Sequence, residues 1–99
     1  MVKTNYKGNL AYDYLQVYKA VGKGRDGAMY RASIIEKEHQ KIIDFYNQNG
    51  NLKYLKIKGI GDGIKEILER ILSKGPTYAA EKLNEAFIER DISYTKDIN

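Results

Sequence analysis

The 99-residue chain has no cysteine, and its single proline is Pro76. Without cysteine, neither a disulfide framework nor a thiolate metal site can form, and an intracellular compartment, cytoplasm or nucleus, is expected. No apolar run approaches the ~18 residues that a membrane span needs. The opening Met1-Val2-Lys3-Thr4-Asn5-Tyr6 is polar and lacks the apolar stretch of a secretion signal, so no membrane partner is expected. His39 is the only histidine, and with Glu36 and Glu38 it does not supply three ligands in good geometry. No metal and no cofactor is expected. Strand-like runs joined by hairpin turns are also missing, which argues against a sheet.

What is present is an ordinary globular composition, 42% hydrophobic and 30% charged, on a length that favours one domain. The net charge of +4 is unevenly placed. Residues 1–25 carry five Lys/Arg against one Asp, and residues 51–75 carry six against three acids. The two intervening and trailing quarters are net negative. Clustered positive charge suits a polyanion as partner, although a Lys-rich solvated surface would look the same.

Apolar residues recur at helical spacing in four stretches. Asn9 can cap a first helix with Leu10, Tyr14, Val17, Tyr18 and Val21 inward. A second begins near Asp26 or Gly27 and buries Met29, Ala32 and Ile35, either running on through Ile42, Ile43 and Tyr46 or breaking near His39. Asn47-Gln48-Asn49-Gly50 is a stop. The clearest stripe is Ile64, Ile67, Leu68, Ile71, Leu72, followed by Gly75-Pro76. A last helix spans about Thr77 to Arg90, burying Ala79, Ala80, Leu83, Ala86 and Phe87, and Asp91 to Asn99 reads as a frayed tail. Leu52 to Ile57 alternates, but a lone strand would have no partner, so a short helix is expected there.

Between these last helices lies Lys58-Gly59-Ile60-Gly61-Asp62-Gly63. Gly-apolar-Gly joining two short helices makes a tight turn with Ile60 tucked between them. The amides around Gly61 to Gly63 open the next helix, lack intrahelical acceptors and carry the positive end of its dipole. They are expected to form an anion site that reads a phosphate and not a base, with Lys58 and Lys65 as counter-charges, the alternative being a plain structural turn. Asp62 sits awkwardly beside a phosphate and reads better as the N-cap of the helix. Upstream, Gly22-Lys23-Gly24-Arg25-Asp26-Gly27 fits the dinucleotide pattern G-x-G-x-x-G, but that pattern has meaning only after a strand. Here it follows a helix, and only a phosphate contact by Lys23 or Arg25 survives.

With Met29-Tyr30-Arg31-Ala32-Ser33, Gly59-Ile60-Gly61 and Ile64 to Gly75 in this order, the chain resembles the amino-terminal helix-hairpin-helix domain of X-family DNA polymerases over roughly Leu10 to Leu83. The resemblance implies a domain that grips the 5′-phosphate side of a DNA gap while a separate polymerase domain does the chemistry. It implies that Tyr30, the loop around Lys23 to Arg25, Lys56, Lys58 and the hairpin amides face the phosphate. Two departures stand out. The stretch from Ser33 to Leu52 is longer than in familiar members. The lysine that forms a Schiff base in some members, six residues after the second hairpin glycine, is here Ile67, so the terminal-transferase-like branch is the nearer likeness.

The expectation is therefore an all-α bundle of four to five helices containing a helix-hairpin-helix motif. An extension spans 1–8, the DNA-binding domain 9–90 and a tail 91–99. The candidate DNA-contacting residues are Lys23, Arg25, Tyr30, Lys56, Lys58, Gly59, Gly61, Gly63 and Lys65, with no catalytic residue. The partners are DNA backbone phosphates at gaps or 5′-phosphorylated ends and a catalytic polymerase domain. The competing readings are a deoxyribose-phosphate lyase and a protein-interaction module of the same fold. Tyr14 and Tyr18 read as core, Tyr30 as core or contact, and Tyr54, beside Lys53 and Lys56, as a residue that can lean along DNA. Glu81, Glu85 and Glu89 form an acidic ridge, read as a solvated face.

Overall fold

Asn9 opens the first helix as expected: its side-chain Oδ1 accepts the Tyr12 amide at 2.9 Å, filling one of the vacant donor positions of the first turn. The computed structural model describes residues 4–20 and 27–98, and they form five helices and no strand. These are α1 (Leu10–Ala20), α2 (Ala28–Lys37), α3 (His39–Asn49), α4 (Asp62–Lys74) and α5 (Pro76–Ile98). One core, built on Leu10, Tyr14, Val17, Ile35, Ile42, Leu52, Leu68 and Ile71, joins them. No helix among the described residues is long and apolar enough to cross a membrane.

In α2 the buried residues are Ala28, Ala32 and Ile35, and Met29, expected inside, is 73% exposed. The physical reason is register. Positions 28, 32 and 35 follow i, i+4, i+7 and stay on one face, whereas 29, 32 and 35 lag by ~60° at each step of three. The helix breaks at Glu38, the nearer of the two expected possibilities. An unbroken helix from Ala28 to Asn49 would be about 33 Å long at 1.5 Å per residue, longer than the 27 Å second dimension of the molecule. The break folds Ile42 and Tyr46 back over the core that Ile35 enters.

The short helix expected over Leu52 to Ile57 is instead a pair of tight turns. Leu55 N–H bonds Leu52 O at 3.1 Å, and Ile60 N–H bonds Ile57 O at 3.1 Å. Side chains hold the two amides at the start of the segment: Glu69 Oε1 accepts the Leu52 amide at 2.6 Å, and Asn51 Oδ1 the Lys53 amide at 3.0 Å. Six residues are too few to offset the costly nucleation of a helix. Gly75 ends α4 at φ 91°, ψ 169°, a backbone region open essentially to glycine alone, and Pro76 starts α5 directly. That helix runs on past Arg90 through Ile98, since no glycine or proline follows Pro76 to stop it. At about 34 Å by helical rise, α5 accounts for much of the 47 Å length of the molecule.

The segment before Asn9 is strapped to the bundle. Thr4 N–H donates to Asn47 Oδ1 at 2.8 Å, Thr4 Oγ1 donates to Leu72 O, and the Tyr6 hydroxyl donates to Asp13. The Tyr14 hydroxyl differs: it is fully buried and has no hydrogen-bond partner. Tyr18 and Arg31 are its nearest polar neighbours, and neither meets the geometry of a hydrogen bond to it. Burial pushes its pKa far above the ordinary tyrosine value, Tyr18 adds to the rise and the Arg31 cation opposes it. Tyr6 is raised by burial and then by its bond to Asp13.

An unpaired buried hydroxyl costs about 1–3 kcal/mol, so Tyr14→Phe is expected to raise the thermal melting temperature, by roughly 4–8 °C per kcal/mol. The raised pKa also sets a sign. A phenol that holds its proton more firmly folded than unfolded stabilises fully below about pH 10 and loses that stabilisation as pH climbs further. Alkaline titration of stability should therefore fall less steeply in Tyr14→Phe, by up to about 1.4 kcal/mol per pH unit. An unchanged slope and an unchanged melting temperature would contradict this account.

Candidate nucleic-acid interface

The turn that carries the glycines is placed by the core. Ile60 is buried, as expected, and Gly59 turns the chain at φ 91°. Gly59 packs on α2: a Cβ there would sit 2.6 Å from Ile34 Cδ1 and 3.8 Å from Tyr30 Cε1. Close approach at Gly59 thus serves packing within the protein. Gly61 and Gly63 behave differently, since a Cβ on either would meet nothing within 4 Å. Their backbone is open to an incoming group.

Gly61, not Asp62, is the N-cap of α4, and no side chain bonds the helix end. The hydrogen-bond ladder starts with Lys65 N–H on Gly61 O at 3.0 Å. The amides of Asp62, Gly63 and Ile64 precede that first bond, at the positive end of a 13-residue helix. Asp62 is the first helical residue, with a fully exposed carboxylate 3.8 Å from Lys65 Nζ. Its extended-backbone neighbour Gly61 (φ −88°, ψ −177°) has taken the capping position instead.

Gly59, Gly61 and Gly63 line one hollow of about 480 Å³ together with Tyr18, Arg31, Ile64, Glu66, Ile67, Arg70, Leu83 and Ala86. Its cations are both arginines, and they differ. Arg70 is paired with Glu66 at 2.6 Å, the i, i+4 pair visible in the sequence. Arg31 is half-buried, and no carboxylate of the described residues forms an ion pair with it. Tyr18 stands edge-on to Tyr14, ring centroids 5.1 Å apart at 70°, and closes one side. A larger hollow of about 530 Å³ between α1 and α5 has Asp13 and Glu81 on its rim and no cation; its charge is wrong for phosphate.

Of the residues picked out from sequence, the three glycines are brought together. Tyr30 is beside them, 64% exposed on α2. Lys56 and Lys58 are exposed on the approach to Gly59 but do not line the hollow. Lys65 does not either, and it does not project freely: its side chain is only 13% exposed. It lines a neighbouring hollow with Asn51, Lys53, Asp62, Glu66 and Glu69, on the next face of α4. Lys23 and Arg25 lie outside the described residues, as does Val21.

Arg31 is the residue that sequence reasoning missed. Its signal was positional: it sits three residues after Ala28 and four before Ile35, on the flank of the buried stripe, where a cation is held close to the body of the protein. Among the described residues no three His, Cys, Asp or Glu side chains gather as a metal site. The chain matches no family model, no curated protein and no solved structure.

Proposed function

We propose that this domain binds DNA through backbone phosphates, with little base preference, and grips best where a gap or end presents a 5′-phosphate. The observation that carries the reading is the hollow at the start of α4. There Gly61 and Gly63, with open backbone, Ile64, whose amide precedes the helix ladder, and Arg31 line one space. Amides and dipole favour an anion; a guanidinium adds charge-assisted, bidentate hydrogen bonds. The apolar wall of Ile64, Ile67, Leu83 and Ala86 suits the sugar that follows a terminal phosphate. Lys56 and Lys58 lie outside the hollow and serve the adjoining backbone.

The likeness to the amino-terminal domain of X-family polymerases supports the same reading and suggests a catalytic polymerase domain as partner. Lyase chemistry is disfavoured on this chain's own residues. Imine formation needs a neutral amine at the sugar, and the hollow offers arginines and Ile67, with Lys65 on another face.

The test is titration of gapped duplex DNA with a 5′-phosphate against the same DNA with a 5′-hydroxyl, at several salt concentrations. With about two to four phosphates engaged, log K should fall against log salt with a slope of roughly −2 to −4, and the phosphorylated gap should bind tighter. Borohydride on DNA carrying a 5′-deoxyribose phosphate should trap no covalent adduct. Equal affinity for the two gaps would end the 5′-phosphate reading, and absence of binding at low salt would end the DNA reading altogether.

A further inference from the structure

Among the described residues, the large exposed apolar side chains outside the hollow are Tyr12 with Met29, Tyr30 beside Gly59, Ile88 on α5, and Tyr54. Tyr54 combines exposure with a pinned turn and an ammonium group over its ring. The ring is 75% exposed, at the tip of the turn closed by Leu55 N–H on Leu52 O. Both feet of that turn are anchored: Leu52 is fully buried and Leu55 nearly so. Glu69 Oε1 clasps the Leu52 amide from α4 at 2.6 Å, and Asn51 Oδ1 holds the Lys53 amide. An aromatic ring at the tip of a turn pinned in four ways is displayed, not loose.

Its charged neighbours along the chain are lysines, while Asp62, Glu66 and Glu69 border the hollow that Lys53 lines. Lys53 Nζ stands 5.4 Å from the ring centroid, within cation–π range, and Lys56 and Lys58 follow on the same exposed segment. Glu66 lines both the glycine hollow and the one bordered by Asn51 and Lys53, so the two regions adjoin across the first turns of α4.

We propose that Tyr54 is a stacking platform for an unpaired base of single-stranded DNA, with Lys53 and Lys56 on the flanking phosphates. The proposal rests on the DNA-binding reading and deepens it. A flat neutral face beside ammonium groups matches a nucleotide, whose flat base and charged phosphate alternate at that scale. The base must be unpaired, because a duplex base already stacks on its neighbours and offers no free face. An acidic protein would answer the lysines but leaves the ring without a partner. A gap supplies both features together, a 5′-phosphate for the hollow and unpaired template for Tyr54.

The experiment measures binding of an oligo-dT strand with a 5′-hydroxyl, and of the 5′-phosphate and 5′-hydroxyl gaps, by the wild type, Tyr54→Ala and Tyr54→Phe. Helix content by circular dichroism confirms that the variants fold, as expected for an exposed position. Stacking predicts that Tyr54→Ala loses roughly 5- to 150-fold in affinity for the single strand, with an unchanged salt slope, while Tyr54→Phe, which keeps the ring, binds like the wild type. The preference of Tyr54→Ala for the 5′-phosphate gap stays intact, which separates this proposal from the phosphate reading. Wild-type affinity in Tyr54→Ala, or equal loss in Tyr54→Phe, overturns the platform even where the phosphate preference holds.

Discussion

Arg31→Glu is expected to abolish the preference of the domain for a 5′-phosphate. Arg31 lines the hollow at the hairpin glycines, and no carboxylate of the described residues pairs with it. Arg31 is thus the cation of the hollow without a carboxylate partner among the described residues, whereas the charge of Arg70 is shared with Glu66. A hydrogen bond to a charged group contributes about 1.5–3 kcal/mol. Reversing the charge forfeits that and adds repulsion, so a loss of at least 2–3 kcal/mol, roughly 30- to 150-fold, is expected on phosphorylated gaps. The 5′-hydroxyl gap should be affected much less. Arg31→Gln keeps the polar end and most of the stem, and should remove most of the preference with a smaller effect on folding.

Lys58→Glu provides the contrast. It sits exposed outside the hollow, so it should weaken all DNA alike and reduce the salt slope by about one. If Arg31→Glu and Lys58→Glu gave the same profile across phosphorylated and hydroxyl ends, the hollow would have no special role.

Gly59→Val should be the most damaging substitution at the turn before α4. Valine at φ 91° pays the left-handed penalty of about 1–2 kcal/mol, and its Cβ would lie 2.6 Å from Ile34 Cδ1. The tip of Ile34 can turn aside, but a β-branched residue also crowds Tyr30, and overpacking of this kind costs about 1–3 kcal/mol. Together these approach half the stability of a typical small domain. In urea or thermal unfolding the midpoint should drop sharply, and at permissive temperature the turn should seat the glycines differently and weaken 5′-phosphate binding. Gly61→Ala is the control, because a Cβ there meets nothing within 4 Å and its φ of −88° suits any residue. A Gly59→Val protein as stable as Gly61→Ala would show that the turn tolerates a shift that the geometry forbids.

The helices were legible where an apolar stripe, a cap and a stop agreed. Asn9 capped α1, Gly50 closed α3 with φ 75°, and the Ile64 to Leu72 stripe formed α4 with Ile67, Leu68, Ile71 and Leu72 buried. Met29 failed because a short stripe can be started one residue late and still look periodic. Leu52 to Ile57 failed because the partner that satisfies Leu52, Glu69, is 17 residues away, and no local pattern announces such a bond. Lys65, picked out as a counter-charge, is largely covered, with its side chain along Asp62 and the Asn51 segment, and only that segment's path decides how covered it is.

By itself the sequence determined that this protein is all-helical, where the stripes of α1 and α4 run, and that Gly61 and Gly63 stand at the start of a helix. These are properties of the local chain, since period, caps and turn residues act within a few bonds. Only the tertiary structure decided which cation meets those glycines. Arg31 and Gly61 are 30 positions apart in the chain, and their meeting follows from how α2 and α4 each pack on α1 in one core. Charge placement at a site is set by helix packing over the whole core, which no segment of the chain carries alone.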